Sequence, residues 1–421
     1  MTKYISTQIS DKALRRLDNI FPNRHRQSGH QVTSSPAFTI VELLVVIVVI
    51  AILATITIVS YLGITSRATA SVLQSDLTTA STQLKMYNQL YGSYPITMNG
   101  SNCPTLPNVD NTYCLKSSSS NTLIYTTNGG TTFALTDTNT NGTAYGINDN
   151  SSPVALAQPT NCPTNFIPVP GSATYGQAGF CTMKYAASQV GTTNVPISVP
   201  SVLPWVSISQ TTAIANSPNV AGCTGCHLIT EAEWMTIAQN VLSVGSNWYG
   251  GTVGTNYIYS GHNDNTPTGA LAPDSNDANG YAGETNTGGN QRRTLKLTNN
   301  ETIWDFAGNV WQWTSGTVAG GQPGVSGAGW GWREWTSITA NGTLPINPSP
   351  TGTGLSGASA SSTWNSGKGI GQIYSNNDTT GLYGFLRGGL WSSGGGGGVL
   401  ALNLPYGPSN TSSAVGFRVS R

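Results

Sequence analysis

The stretch Ala37-Phe38-Thr39-Ile40-Val41-Glu42-Leu43-Leu44-Val45-Val46 opens the segment whose reading decides the architecture. From Leu43 to Leu62 the chain carries no charge, and most residues are Val, Ile, Leu or Ala. A helix of that length is about 30 Å long, the thickness of a bilayer core. Residues 1–37 hold Lys3, Lys12, Arg15, Arg16, Arg24 and Arg26 against Asp11 and Asp18, a balance of +4, which leaves −3 for the rest of a chain whose net charge is +1. Basic residues that precede an apolar span stay in the cytoplasm, so the chain beyond the span is expected outside. One carboxylate, Glu42, interrupts the apolar run. A charge at the edge of a membrane span is costly and marks a functional candidate. Further on, Leu73, Leu77, Ala80, Leu84, Tyr87 and Leu90 or Tyr91 recur at helical steps. Gly92 and Pro95 end that pattern. The spacing predicts a long helix from Phe38 to Tyr91, roughly 80 Å if continuous.

The run around Ala37 resembles the processing site of type IV prepilins. The resemblance implies that a prepilin peptidase cuts between Ala37 and Phe38 and that the new N-terminus is methylated. It also implies that Glu42 neutralises the amine of a neighbouring subunit in a filament. An unpaired charge in an apolar bundle costs several kcal/mol, so a buried amine needs such a partner. Ala37 stands where that family usually has Gly, and the family's usual proline in the mature helix is missing. The segment Lys85-Met86-Tyr87-Asn88-Gln89-Leu90-Tyr91-Gly92-Ser93-Tyr94-Pro95 is similar to the end of the long helix in pilins and pseudopilins. A plain signal anchor is the alternative reading.

Only 8% of the 421 residues are charged, with 18 Lys plus Arg and 17 Asp plus Glu. Ordinary soluble domains carry about 25%. This excludes a nucleic-acid binder that works through a basic face. With 50 Gly, 22 Pro, 11 Trp, 17 Tyr and 8 Phe, the chain reads as a loop-rich extracellular protein with real cores. Its six Cys are an even number, compatible with disulfides outside the reducing cytosol. Residues 96–158 are rich in Thr, Asn, Ser and Gly, with β-prone runs at Thr122-Leu123-Ile124-Tyr125 and Thr132-Phe133-Ala134-Leu135. Cys103 and Cys114 in this segment are expected to close a loop. The serines at 117–120 and the stretch around Asn150 and Pro153 read as surface loop or linker. A domain boundary is expected near residue 158.

From Cys162 the texture changes, and ten of the 11 Trp follow residue 220. Thr230 followed by Glu233 is a capping box ahead of an amphipathic helix, with Trp234, Ile237, Ala238 and Val241 on one face. Six blocks follow one another in order: Phe166-Ile167-Pro168-Val169-Pro170-Gly171, Phe180-Cys181-Thr182-Met183-Lys184-Tyr185, Leu228-Ile229-Thr230-Glu231-Ala232-Glu233-Trp234, Ile303-Trp304-Asp305-Phe306-Ala307-Gly308-Asn309-Val310-Trp311-Gln312-Trp313, Leu386-Arg387-Gly388-Gly389-Leu390-Trp391 and Gly416-Phe417-Arg418-Val419. Together they resemble the formylglycine-generating-enzyme (sulfatase-modifying-factor) family, whose core is a variant of the C-type lectin fold. Read from the residues alone, Trp304, Trp311 and Trp313 would pack a small irregular core. Arg387 and Arg418 are expected to have specific carboxylate or carbonyl partners.

The family's chemistry does not carry over. Its formylglycine-generating members use a late cysteine pair that binds copper, and no Cys follows Cys226 here. Related iron enzymes use a histidine triad, and this region has only His227 and His262. No catalytic residues are therefore expected. Some family members bind calcium near a Gly-Asn-Val-Trp-Glu-Trp motif. Asn309 is kept here, but Gln312 replaces the glutamate, so calcium at Asn309 and Gln312 is a weakened option. Cys223-Thr224-Gly225-Cys226-His227 matches the c-type haem attachment pattern. Because it runs straight into the capping box, a Cys223/Cys226 disulfide or two loop thiols is the preferred reading over haem. Cys162 and Cys181 are the remaining candidate pair.

The last forty residues resemble the variable region of diversity-generating-retroelement target proteins. In that group scrambled positions lie between a fixed Arg-Gly-Gly-x-Trp, here Arg387 to Trp391, and a fixed Gly-Phe-Arg, here Gly416 to Arg418. The resemblance assigns Leu390, Ser392, Ser393, Gly395, Gly396, Leu400, Pro405, Tyr406, Gly407, Ser412, Ser413 and Ala414 as variable and ligand-facing. Trp391, Val399, Ala401, Leu402, Leu404 and Phe417 would be fixed and core-like, with Trp391 and Tyr406 also the best aromatic anchors for a ligand. The variable side chains are expected on one loop-built surface over constant strands. The competing reading of the five consecutive glycines is a flexible loop without diversity.

The expected fold is therefore α+β. A prepilin leader (1–37) precedes a pilin helix with a transmembrane half (38–95). A small β region and linker (96–158) follow, then an irregular C-type-lectin-like domain (159–421) with its variable region at about 383–421. The expected function is a minor or tip pilus subunit, or a pilin-like surface protein, that displays a diversifiable site for adhesion or recognition. The implied partners are prepilin peptidase, other pilin subunits, the inner membrane and an unknown surface ligand, with no nucleic acid. The expected location is the cytoplasmic membrane, then the pilus or cell surface. A pseudopilin of a secretion or DNA-uptake system and a membrane-tethered formylglycine-generating enzyme are the alternatives.

Overall fold

The computed structural model describes residues 40–118, 121–282, 291–319, 329–335, 365–375 and 380–421. The expected processing site, Ala37 and Phe38, lies outside them. The described fold is mixed α and β, with several small sheets and few helices. One long helix runs from Ile40 to Tyr91. Its first part, Ile40–Ile58, is long and apolar enough to cross a membrane, and its large apolar side chains are exposed. By packing, the chain divides into residues 1–63 and 64–421.

In the second unit the helical stripe is buried as its spacing predicts. Leu73, Leu77, Ala80, Leu84 and Tyr87 are fully buried, whereas Leu90 is exposed and the Tyr91 hydroxyl donates to Asp110 Oδ2 at 2.9 Å. The helix stops where Gly92 takes φ +77°, a left-handed conformation that favours glycine. Leu77, Ala80 and Leu84 pack on an antiparallel sheet made of Asn121–Thr127, Phe133–Asn139, Ala144–Asn148 and Val154–Ala155. Leu123, Phe133, Leu135 and Ile147 complete that core. Beyond residue 158 two other cores take over. The junction is tight: a Cβ on Gly179 would lie 2.0 Å from the Ala157 carbonyl oxygen.

All six cysteines are paired, Cys103 with Cys114, Cys162 with Cys181 and Cys223 with Cys226. Three disulfides and an apolar helix fit a secreted or membrane-anchored surface protein. The capping box forms as expected. Thr230 Oγ1 accepts from Glu233 N, and the Glu233 carboxylate accepts from Thr230 N, at the start of helix Glu231–Leu242.

The centre of the C-terminal region is a six-stranded mixed sheet in the order Gly331–Arg333, Ile373–Ser375, Gly398–Asn403, Leu382–Gly388, Trp311–Ala319, Val415–Phe417. Val415–Phe417 runs parallel to Trp311–Trp313, and Ile373–Ser375 pairs parallel with Gly398–Asn403. A four-stranded sheet holds the chain end: Val419–Ser420 lies between Phe180–Met183 and His227–Leu228. Trp304, Trp311 and Trp313 are buried, as expected.

Both late arginines have the partners the sequence asked for. Fully buried Arg387 pairs with Glu231 (Nη2 to Oε2, 2.5 Å) and donates to the Leu400 carbonyl at 3.3 Å. Thr314 Oγ1 donates to the same carboxylate. Among the described residues Arg418 hydrogen-bonds to neutral groups. It donates to Gln312 Oε1 (3.0 Å) and to the carbonyls of Met183 (2.6 Å) and Trp304 (2.7 Å). Burial pushes its guanidinium down to about 9.

Candidate ligand-binding site

The strands Leu382–Gly388 and Gly398–Asn403 are joined by the glycine run, and its backbone is not loose. Leu390 N donates to Ser393 Oγ at 2.9 Å, and Ser393 N donates to the Leu390 carbonyl. Gly394–Gly396 forms a 3-10 turn. Gly394 N donates to the Asn263 carbonyl at 2.9 Å, and Gln372 N donates to the Gly396 carbonyl at 3.2 Å. This loop walls a cleft of about 300 Å³, which Tyr257, Ser260, Asn263, Asp264 and Ser366 also line. Asn263 Nδ2 is bound to Ser260 Oγ (2.7 Å) and, at 3.4 Å, to the Gly394 carbonyl. Asp264 Oδ1 accepts from Thr266 N at 2.9 Å.

The expected variable positions divide between two places. The Leu390–Gly397 loop lies beyond the Gly388 end of its strand. Trp391 N donates to the Asn309 carbonyl, and Trp311 N donates to the Ala414 carbonyl. Leu390 to Ser393 and Ser412 to Ala414 therefore hang on the same short turn, Asn309 to Trp311. Pro405, Tyr406 and Gly407 lie at the opposite end, where Gly384 N donates to the Tyr406 carbonyl. Gly384 and Gly388 are four residues apart on an extended strand, about 13 Å. The single surface expected from the sequence is thus two patches, because the antiparallel partner strand returns the chain to the far end of the sheet.

Exposure sorts these residues further. Ser392, Gly395 and Ser413 are exposed, and Leu390, Trp391, Ser393, Pro405, Tyr406, Gly407, Ser412 and Ala414 are half-buried. Leu400 is a correction: it is 3% exposed and belongs to the main core, because it sits inside Gly398–Asn403, a strand buried along its whole length. Gly396 is a second correction. It is buried, and a Cβ there would meet the Trp332 ring at 3.0 Å. Of the positions expected to be fixed, Val399, Ala401, Leu402, Leu404 and Phe417 are core residues. Trp391 is half-buried and stands outside the buried core.

Asn309 and Gln312, the weakened calcium option, are both engaged in internal hydrogen bonds. Their side-chain oxygens accept from Leu271 N (2.8 Å) and Arg418 Nε (3.0 Å), so the atoms a hard cation would need are engaged by donors. Among the described residues no group of three or more His, Cys, Asp or Glu could hold a metal. The Cys223–Cys226 disulfide uses the two thiols that haem attachment would require. His227 is held by Glu233 (Nε2 to Oε1, 2.9 Å), which raises its pKa. Glu42 lies in the first turn of the long helix.

Tyr257, Asn263, Asp264 and Ser366 were not legible as site residues. They come from Asn- and Gly-rich loops with no period and no motif. Nor was the buried bidentate pair Arg293–Asp305 (2.8 and 2.7 Å), which with Asn309 fixes the turn beneath Trp391.

No protein-family profile matches the chain, and no curated protein matches it. Among solved structures, Treponema denticola variable protein 1 is similar at 14% identity and a TM-score of 0.27, over 64% of this chain and 96% of that one. A Major Tropism Determinant I1 variant is similar at 16% identity and a TM-score of 0.25, over 72% of each chain. These likenesses are too slight to carry an argument.

Proposed function

We propose that this chain is a membrane-anchored, pilin-like surface subunit that displays a diversifiable ligand-binding region for adhesion or recognition. One observation carries the reading. Most residues that would be fixed form a rigid frame: Arg387, Val399, Ala401, Leu402, Phe417 and Arg418 are fully buried, while Trp391 is half-buried. The positions expected to vary are half-buried or exposed, Leu400 and Gly396 aside. A frame of this kind keeps its stability while loop residues change, since surface substitutions usually shift stability by about 0.5 kcal/mol or less. The apolar helix and the three disulfides support the surface location. The reading assigns no catalytic role. Repetition of the subunit along or at the tip of a fibre would raise avidity for a surface ligand.

The test is deep sequencing of the codons for residues 380–421 in a clonal culture, with a search for a near-identical template repeat nearby. The expected result is substitution confined to template adenines, at the loop positions and absent from Leu400 and the buried frame. A uniform sequence without a template would leave a fixed adhesin or a pseudopilin.

A further inference from the structure

We infer that the cleft walled by the glycine run binds a neutral sugar ring. The inference deepens the proposed reading, because Gly395, a position expected to vary, stands in the wall of this cleft. A sugar ring presents C–H bonds on its faces and hydroxyls around its edge. A site for it needs an aromatic face together with hydrogen-bonding groups. Tyr257 supplies the aromatic surface. Its ring is held by stacking on Tyr249 (5.1 Å between centroids, 15° between planes) and by an edge contact with Tyr259 (6.1 Å, 85°). Asn263 has its amide nitrogen bound to Ser260 and Gly394, which leaves its oxygen to accept from a hydroxyl. Asp264 adds a carboxylate at the rim, and Ser366 a hydroxyl.

Charge and size narrow the ligand. Asp264 is the only charged residue among those described in the lining. No Lys or Arg stands among the described lining residues, and the nearest basic group to the carboxylate is the His262 ring (Nδ1 to Oδ1, 3.7 Å), so the lining disfavours an acidic sugar. A volume of about 300 Å³ is at the lower limit for small-molecule sites, which suits a saccharide unit rather than a folded protein edge. Gly395 sets the width. A Cβ there would have Ser366 Cβ, at 3.6 Å, as its nearest neighbour, so a larger side chain fills the gap between the two walls. Trp332, 41% exposed, packs over the next residue, Gly396.

The experiment probes the full-length protein, in detergent or nanodiscs, with a printed array of neutral and acidic glycans. Retention of neutral glycans in preference to acidic ones is expected. For the strongest hit, Tyr257→Ala and Gly395→Tyr should each weaken binding by about tenfold or more. Tyr257→Phe, which keeps the ring, should bind like the wild type, and Leu382→Ala, at the far end of the sheet, should be neutral. Thermal melts establish that each variant is folded. The inference is overturned if no neutral glycan is retained, if acidic glycans are preferred, or if folded Gly395→Tyr binds unchanged. Absence of glycan binding with codons that still diversify sinks the ligand class and spares the proposed function. Glycan binding with uniform codons does the reverse.

Discussion

Gly395 and Gly398 stand three positions apart in one glycine run and have opposite tolerances. A Cβ on Gly398 would lie 2.3 Å from the Ile370 carbonyl carbon and 2.4 Å from Gly371 N, backbone atoms that cannot swing aside. A Cβ on Gly395 meets nothing closer than 3.6 Å. We expect Gly398→Ala to cost about 3 kcal/mol or more, by forcing the strands apart, and Gly395→Ala to stay within about 0.5 kcal/mol. Urea unfolding of the two variants checks this, and equal midpoints would refute the geometry. The same contrast separates a floppy polyglycine loop from a built one. A floppy loop would accept alanine equally at both positions. The buried arginines follow the same logic of neighbours. Arg387 has a carboxylate partner whose loss would strand a buried charge, at roughly 3–5 kcal/mol. Arg418 shares its charge among an amide oxygen and two carbonyls, and it engages the Gln312 side-chain oxygen.

Between elements, the clearest titrating contact joins the long helix to its four-stranded sheet. Asp76 on the helix and fully buried Asp137 on Phe133–Asn139 share the amide of Asn121, at 3.0 and 3.3 Å. Burial first, and the Asp76 charge second, push Asp137 up to about 6. A carboxyl whose folded pKa is raised binds its proton more tightly in the folded state. Its contribution is present in full below about pH 4 and is lost as pH rises through about 6. Asp137→Asn should therefore unfold like the wild type at pH 4 and be more stable at pH 7.5, by about 1–2 kcal/mol after allowance for screening. Denaturant melts at the two pH values decide it, and a variant less stable at pH 7.5 would show that the carboxylate is needed ionised. Elements of this kind were legible in the sequence to different degrees, for physical reasons. The helix stripe Leu73 to Tyr87 and the Thr230–Glu233 cap are local patterns, and both formed. The sheet order was not legible, because its pairs join distant strands, such as Trp311 with Val415, 104 residues apart. The cleft was not legible either, since its walls come from Tyr257 to Asp264, Ser366 and the glycine run, three loops with no shared period. The positions expected to vary point to one surface in the sequence, which does not reveal that an antiparallel return carries Tyr406 to the opposite end of the strand from Trp391.

At the scale of the molecule the charge distribution is the organising fact. The basic excess lies ahead of the apolar span, and Glu42 is the only charged residue between Ala37 and Leu62. On the proposed reading, Glu42 meets the amine of a processed neighbour, a role that a plain anchor would not give it. Membrane insertion depends on the apolar run, so Glu42→Gln should leave the membrane-bound amount unchanged. On the proposed reading it should also lower the yield of sheared surface filaments by about tenfold or more, since leaving a buried amine unpaired costs several kcal/mol and 1.4 kcal/mol is already a factor of ten. Cell fractionation and quantification of sheared material read the two effects separately. Unchanged filament yield would remove the assembly role from Glu42 and leave the helix as an anchor. Loss of the membrane fraction as well would mean that Glu42 acts in insertion. A fall in filaments alone ties the carboxylate to subunit contact, and with it the repeated display that makes a shallow binding cleft useful through avidity.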